Sequence, residues 1–216
     1  MADLLSGSET RPSGPVVIAT GAVVLRGLAE PLERELFECV SRIAAVSPFR
    51  HMVTPSGFPM SVAMTNCGRA GWITERRGYR YDAIDPQTGQ PWPAMPERFA
   101  ELAARAAHDG GHRGFVPDAC LINRYEAGAR MSLHQDRDER DFSQPIVSVS
   151  LGLPCRFLFG GALRADKAQR ILLQSGDVVV WGGPARLRFH GVAPMAAGNH
   201  PLTGEVRYNL TFRKAL

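Results

Sequence analysis

Lysine is nearly absent from the chain: Lys167 and Lys214 are the only two, so 23 of 25 cationic side chains are arginines. The bias as a whole fits codon usage. Even so, each arginine offers a planar fork that meets a carboxylate or phosphate with two bonds, and a net charge of +4 permits a polyanionic partner without demonstrating one. No run approaches the ~18 apolar residues of a membrane span, and no segment reads as a targeting signal. The four cysteines, Cys39, Cys67, Cys120 and Cys155, contain no Cys-x-x-Cys pair. A cytoplasmic protein with reduced thiols is expected, with no membrane partner. Hydrophobic residues at 44% and charged residues at 21% exclude a disordered tail, a collagen-like repeat and a polytopic membrane protein.

What is abundant is punctuation. Twenty-two Gly and 16 Pro recur between short apolar runs, the pattern of many short strands. Residues 1–15 read as a flexible leader, and 16–216 as a single domain. Val16–Leu25 suggests strand structure around Thr20-Gly21. Pro31–Ser47 places Leu36, Cys39, Val40 and Ile43 on one helical stripe, and Pro96–His108 does the same with Phe99, Leu102, Ala103 and Ala106. From Ala119 the period falls to two: 119–125, 146–153, 156–159, 170–173, 178–181 and 205–212 read as strands. The class is mainly β with flanking helices (α+β), a β-sandwich or jelly roll backed by helices on one face.

His134-Gln135-Asp136 sets two ligand-type side chains at i and i+2, on one side of an extended chain. His190 could complete the set. Two imidazoles and a carboxylate form the facial triad of non-haem Fe(II) oxygenases, whose open positions take a cosubstrate and O₂. His-x-Asp alone is weak, with ~0.3 occurrences expected by chance at this composition. Support comes from Arg207–Arg213 (RYNLTFR), where alternation gathers Arg207, Asn209, Thr211 and Arg213 on one face and Tyr208, Leu210 and Phe212 on the other. Taken alone, that strand reads as half-exposed with a solvated arginine face. Asn123 and Tyr125 shift the balance, because they too share a face and add an amide and a phenol. A dianionic 2-oxo acid would satisfy the whole group.

With these residues in view, the chain resembles the AlkB family of Fe(II)- and 2-oxoglutarate-dependent nucleic-acid demethylases, its bacterial members in particular. The resembling segments are Ser47–Pro55 (SPFRHMVTP), Met60–Gly68 (MSVAMTNCG), Ile84–Thr88 (IDPQT), Pro91–Pro96 (PWPAMP), Leu121–Tyr125 (LINRY), Leu133–Asp136 (LHQD), Ser148–Pro154 (SVSLGLP), Gly176–Gly183 (GDVVVWGG) and Arg207–Arg213. They keep the family's order and similar spacing. The leader, Asp109–Phe115 and Arg137–Phe142 depart from it, and these departures bear on DNA contacts rather than on chemistry.

The resemblance implies a double-stranded β-helix with an N-terminal helical and nucleotide-recognition extension, residues about 47–95 forming a substrate lid. It implies Fe(II) on His134, Asp136 and His190, the catalytic centre, and 2-oxoglutarate on Asn123, Tyr125, Arg207, Asn209 and Arg213, with O₂ as second cosubstrate. Turnover in the family oxidises 2-oxoglutarate to succinate and CO₂ and hydroxylates an N-methyl group, and the hemiaminal then loses formaldehyde. The implied substrates are bases such as 1-methyladenine and 3-methylcytosine, in single-stranded DNA first, then double-stranded DNA and RNA. A monomer is the simplest expectation.

Such a base is cationic and cannot pair, so its pocket calls for an aromatic plate and a negative charge. By resemblance Trp72 stacks on it, Asp138 faces its exocyclic amine, and Tyr79, Tyr81 and Arg164 extend the binding surface. Without the family, Trp72 reads as a packing aromatic, Tyr79 and Tyr81 as a strand face, Asp138 as one charge of a solvated loop, and Arg164 beside Asp166 as a surface ion pair. Two other functions fit the same residues: iron-dependent hydroxylation of a small molecule or protein, and a non-catalytic nucleic-acid-binding module.

Overall fold

A computed structural model describes residues 14–216; the first thirteen positions of the expected leader lie outside the described residues. Strand β1 (Pro15–Ala19) begins at Pro15, and Gly21 turns the chain into β2 (Ala22–Leu25). Helix α1 (Glu33–Val46) follows a one-turn 3-10 segment that contains Pro31, which is why it starts later than the apolar stripe suggests. Four strands come next: β3 (Arg50–Val53), β4 (Pro59–Gly68), β5 (Gly71–Glu75) and β6 (Gly78–Asp82). Helix α2 (Glu97–Asp109) is launched by Pro96, whose extended ψ keeps it outside the helix. The remainder is β: β7 (Ala119–Tyr125), β8 (Met131–His134), β9 (Ile146–Gly152), β10 (Cys155–Phe159), β11 (Gln169–Leu173), β12 (Val178–Trp181), β13 (His190–Val192) and β14 (Arg207–Arg213).

Three sheets form, ordered β1-β2-β12-β9-β14-β7-β4-β3, β11-β10-β13-β8 and β5-β6. The large sheet sorts its side chains by the period of two. Val23, Leu25, Val178, Val180, Leu210 and Phe212 pack with Leu36, Val40 and Ile43 of α1 and Phe99, Leu102 and Ala106 of α2. Ala22, Val24, Val179 and Trp181 point the other way, onto Phe157, Phe159, Leu173 and Val192 of the second sheet. Both cores are lined by apolar side chains, and each fully buried Leu, Val or Phe contributes roughly 1.5–3 kcal/mol against exposure. The four cysteines are buried and unbridged, as reduced thiols require.

The stretch 47–95 is not one layer. Strands β3 and β4 form the end of the large sheet, with β4 paired along β7, and the separate piece is the β5–β6 hairpin with the loop that follows it. Asp85, buried in that loop, anchors it: its carboxylate accepts Ser47 Oγ from the end of α1, the Gln87 amide at 2.9 Å and Arg50 Nη1 at 3.0 Å, and pairs with Arg50 Nη2 at 2.7 Å. Arg50 also lies 5.0 Å from the Trp92 ring centroid. Burial alone would raise the Asp85 pKa; the bonds from Arg50, Ser47 and Gln87 outweigh it and hold the carboxyl below its usual range. Among the described residues, no helix is long and apolar enough to cross a membrane.

Replacing Asp85 by Ala leaves Arg50 without its buried partner and should lower unfolding free energy by about 3 kcal/mol in urea titration. A loss under about 1 kcal/mol would show that the loop is anchored elsewhere.

Candidate active site

Strands β8 and β13 pair antiparallel with His134 directly opposite His190, their ring centroids 4.4 Å apart. Asp136 follows two residues after His134 and is buried between them: its Oδ1 is 3.6 Å from His134 Nε2 and its Oδ2 3.8 Å from His190 Nε2. In both histidines Nδ1 rests against a backbone carbonyl, Ser132 at 2.8 Å and Arg188 at 3.1 Å. That bond places the ring proton on Nδ1 and turns the Nε2 lone pair inward. Burial, then the neighbouring His134, pulls the His190 pKa down to about 4, so its imidazole is neutral at physiological pH. Burial would push Asp136 up, but Arg213 and then the two histidines overcome it and keep the carboxyl ionised. The donor atoms lie within 4.8 Å of one another, the one such group of three among the described residues. Two imidazoles and a carboxylate suit a divalent transition metal with positions left open.

Close approach of β8 to β13 depends on Gly191. A Cβ there would stand 2.6 Å from the Met131 carbonyl oxygen and 3.1 Å from Ser132 backbone atoms.

The Arg207–Arg213 strand corrects the expectation of a solvated arginine face. Arg207 is 1% exposed, and Asn209, Thr211 and Arg213 are buried with it between the sheets. Register sets Arg207 opposite Tyr125 and Asn209 opposite Asn123. Arg207 lies over the Tyr125 ring, 5.1 Å from its centroid, and gives Nη2 to Ser150 Oγ at 3.0 Å. Asn209 donates to Ser148 Oγ at 2.7 Å and accepts from Thr211 at 2.9 Å and Asn123 at 3.4 Å. Burial raises Tyr125 to about 12, so its phenol stays protonated. After these bonds, Nε and Nη1 of Arg207, Nη1 of Arg213 and Oδ1 of Asn123 have no partner, although all are buried. Unmet guanidinium N–H groups are costly, and a small dianion would satisfy them. The residues therefore fit both ferrous ion and 2-oxoglutarate.

Above this centre, Trp72 and Tyr79 of the hairpin stack, with centroids 5.6 Å apart at 18°. Trp72 Nε1 donates to Asp138 Oδ2 at 2.7 Å. Tyr81, on the same hairpin face, turns its hydroxyl inward to Glu139 Oε1 at 2.7 Å. Arg164 stands apart from these groups, 5.8 Å from the Phe189 ring centroid, while the Asp166 carboxylate is used by the Leu163 amide. Sequence reasoning misses Glu139 and Arg186. Glu139 sits in a charge run with four exposed neighbours and looks like them, and Arg186 lies in a loop with no periodic signal.

A two-sheet roll that holds His-x-Asp and a distant His beside a buried arginine face defines an iron- and 2-oxo-acid-dependent oxygenase. Residues 21–213 match the 2OG-Fe(II) oxygenase superfamily model. The chain is 59% identical over 198 residues, 92% of either chain, to "Alpha-ketoglutarate-dependent dioxygenase AlkB" of Escherichia coli (strain K12). It is 44% identical to "DNA N(6)-methyladenine demethylase ALKBH1D" of Arabidopsis thaliana, covering 91% of this chain and 50% of that one. The solved structure of OsALKBH1 superposes with a TM-score of 0.83 at 28% identity, covering 93% of this chain and 99% of that chain. The chain belongs to the AlkB family of the 2OG-Fe(II) oxygenase superfamily. It is an enzyme that uses Fe(II), 2-oxoglutarate and O₂.

Replacing Gly191 by Ala should weaken metal binding about tenfold or more with all three ligands intact, since β8 must shift off β13. Calorimetric titration with Mn(II) checks this, and unchanged affinity would separate the glycine from the ligand geometry.

Proposed function

We propose that the protein is a nucleic-acid repair dioxygenase that removes N-alkyl groups from bases such as 1-methyladenine and 3-methylcytosine. Single-stranded DNA is its preferred substrate, with double-stranded DNA and RNA also used. The carrying observation is the stacked Trp72–Tyr79 pair bonded to Asp138, two residues beyond the carboxylate of the His–Asp–His cluster. A cationic, unpaired base needs an aromatic face and a negative charge within reach of the oxidising centre, and the hairpin and the loop after Asp136 supply them together. A base already unpaired costs less to extrude, which favours single strands.

His134, Asp136 and His190 would hold the iron, and Asn123, Tyr125, Arg207, Asn209 and Arg213 the 2-oxoglutarate. When bound, these groups supply O₂ activation, with conversion of 2-oxoglutarate to succinate and CO₂ and hydroxylation of the N-alkyl carbon. The rest falls to the protein. Nδ1–H bonds to Ser132 and Arg188 carbonyls keep both imidazoles oriented. Arg213 keeps Asp136 charged and still. Trp72 stacks on the base, Asp138 accepts from its exocyclic amine, and Tyr79, Tyr81 and Arg164 extend the surface for base and backbone. Residues 47–95 act as the lid of one domain spanning 16–216. The hydroxymethyl product needs no further catalyst to release formaldehyde. A cytoplasmic monomer suits an enzyme that admits a long polymer.

Incubation of a 1-methyladenine oligonucleotide with Fe(II), 2-oxoglutarate and air should release formaldehyde and succinate in equal amounts. Succinate formed only with a small-molecule or protein acceptor would move the activity to that class, and binding without product would leave a non-catalytic module. Replacing Asp136 by Ala should abolish turnover while oligonucleotide binding persists. Replacing Trp72 by Ala should raise KM for the methylated oligonucleotide about tenfold, following the ~1–3 kcal/mol of one base–aromatic stack, with Fe(II) affinity unchanged. A fall in iron affinity with unaltered KM would remove Trp72 from the pocket.

A further inference from the structure

Glu139 belongs to the charge run Arg137–Asp141, yet it alone of the five is buried. A carboxylate keeps its charge inside a protein only when several donors meet it. Here Oε1 accepts the Tyr81 hydroxyl at 2.7 Å and lies 3.3 Å from Arg213 Nε, and Oε2 accepts Arg186 Nη2 at 2.9 Å. Arg186 is fixed in turn by the carbonyls of Asp136 at 2.9 Å and Gln144 at 3.0 Å. Glu139 therefore joins four parts of the molecule: the β5–β6 hairpin, the loop after Asp136, the Arg186 segment before β13 and the last strand.

Its effect on Arg213 is directional. Asp136 Oδ2 takes Nε at 3.0 Å and Nη2 at 2.8 Å, and Glu139 flanks the same Nε. Two carboxylates thus hold one edge of the guanidinium, and Nη1 is left buried and unpartnered. The fork cannot rotate without breaking a bond to one of them. Tyr81 is neutral, because burial raises its phenol well above the usual range, so its bond to Glu139 is that of an O–H donor. Docking of the hairpin and orientation of Arg213 share one oxygen atom.

We propose that Glu139 is a positioning residue that couples the hairpin carrying Trp72, Tyr79 and Tyr81 to the arginine that receives 2-oxoglutarate. The inference rests on the assignment of Arg213 to the cosubstrate and of the hairpin to the lid. With the hairpin docked, Tyr81 holds Glu139 and Glu139 holds Arg213 with Nη1 toward the cradle. Binding of 2-oxoglutarate must then stabilise the docked hairpin, and by linkage the docked hairpin must tighten 2-oxoglutarate binding by the same factor.

The test uses the full chain loaded with Fe(II) in the absence of O₂, so that nothing turns over. Calorimetry gives 2-oxoglutarate affinity, and amide hydrogen exchange reads residues 71–82. In the wild-type chain 2-oxoglutarate should slow exchange across the hairpin. In Tyr81→Phe, which removes one hydroxyl, that slowing should vanish and affinity should fall about fivefold or more, the lower range of typical coupling, with Fe(II) affinity unchanged. Glu139→Gln should lose both responses, and if it fails to fold, Tyr81→Phe decides. Wild-type affinity and wild-type slowing in Tyr81→Phe would overturn the coupling, as would wild-type binding without any change in 71–82. A wild-type chain that binds no 2-oxoglutarate would instead overturn the cosubstrate assignment itself, and the coupling with it.

Discussion

The contact between Arg213 and Asp136 carries the rest of the site. It is an ion pair in a buried place, 2.8 Å long, where removing either member would strand a charge at about 3–5 kcal/mol. Its consequences run in two directions. Toward the histidines, it keeps Asp136 ionised in surroundings that would otherwise protonate it, so the carboxylate offers lone pairs to a metal rather than a hydrogen-bond donor. Toward the interior of the roll, it holds one edge of the guanidinium and leaves the other nitrogen facing inward.

The large sheet makes such a centre affordable. One of its faces is apolar and covered by two helices, and this supplies much of the burial that holds the domain together. Its opposite face can then carry a polar stripe across β7, β14 and β9, where Asn123, Asn209, Arg207, Ser148 and Ser150 satisfy one another across the strands. What they leave unmet includes Nε and Nη1 of Arg207 and Oδ1 of Asn123, with Nη1 of Arg213, the arginine that pairs with Asp136, unmet on the same strand. A small dianion that met these donors would draw its affinity from the same shortage.

Much of this is legible in the order of residues. The alternation of Arg207–Arg213, the stripes of both helices and the His134–Asp136 pair follow from local periods, and each recurs in the structure at nearly the expected place. Strands β8 and β13 are different. They have four and three residues, too few to show a period, yet their pairing is what sets His134 opposite His190. Glu139 is the sharpest case of a residue whose neighbours mislead. Within Arg137–Asp141 nothing distinguishes it chemically from Asp138, yet one reaches the surface hairpin tryptophan and the other is sealed beneath a tyrosine of that hairpin.

The sequence by itself determined the His–x–Asp pair, the face each side chain takes on its strand, the two helix stripes and the family, because each of these depends on side-chain chemistry at a fixed local spacing. Only the tertiary structure decided that the arginine face is buried rather than solvated, that His190 joins a pair 54 positions upstream, and that Glu139 touches both hairpin and last strand. Burial and long-range contact depend on which surfaces close over one another. No local period encodes that, since a strand with one polar face is written the same way whether water or a second sheet lies against it.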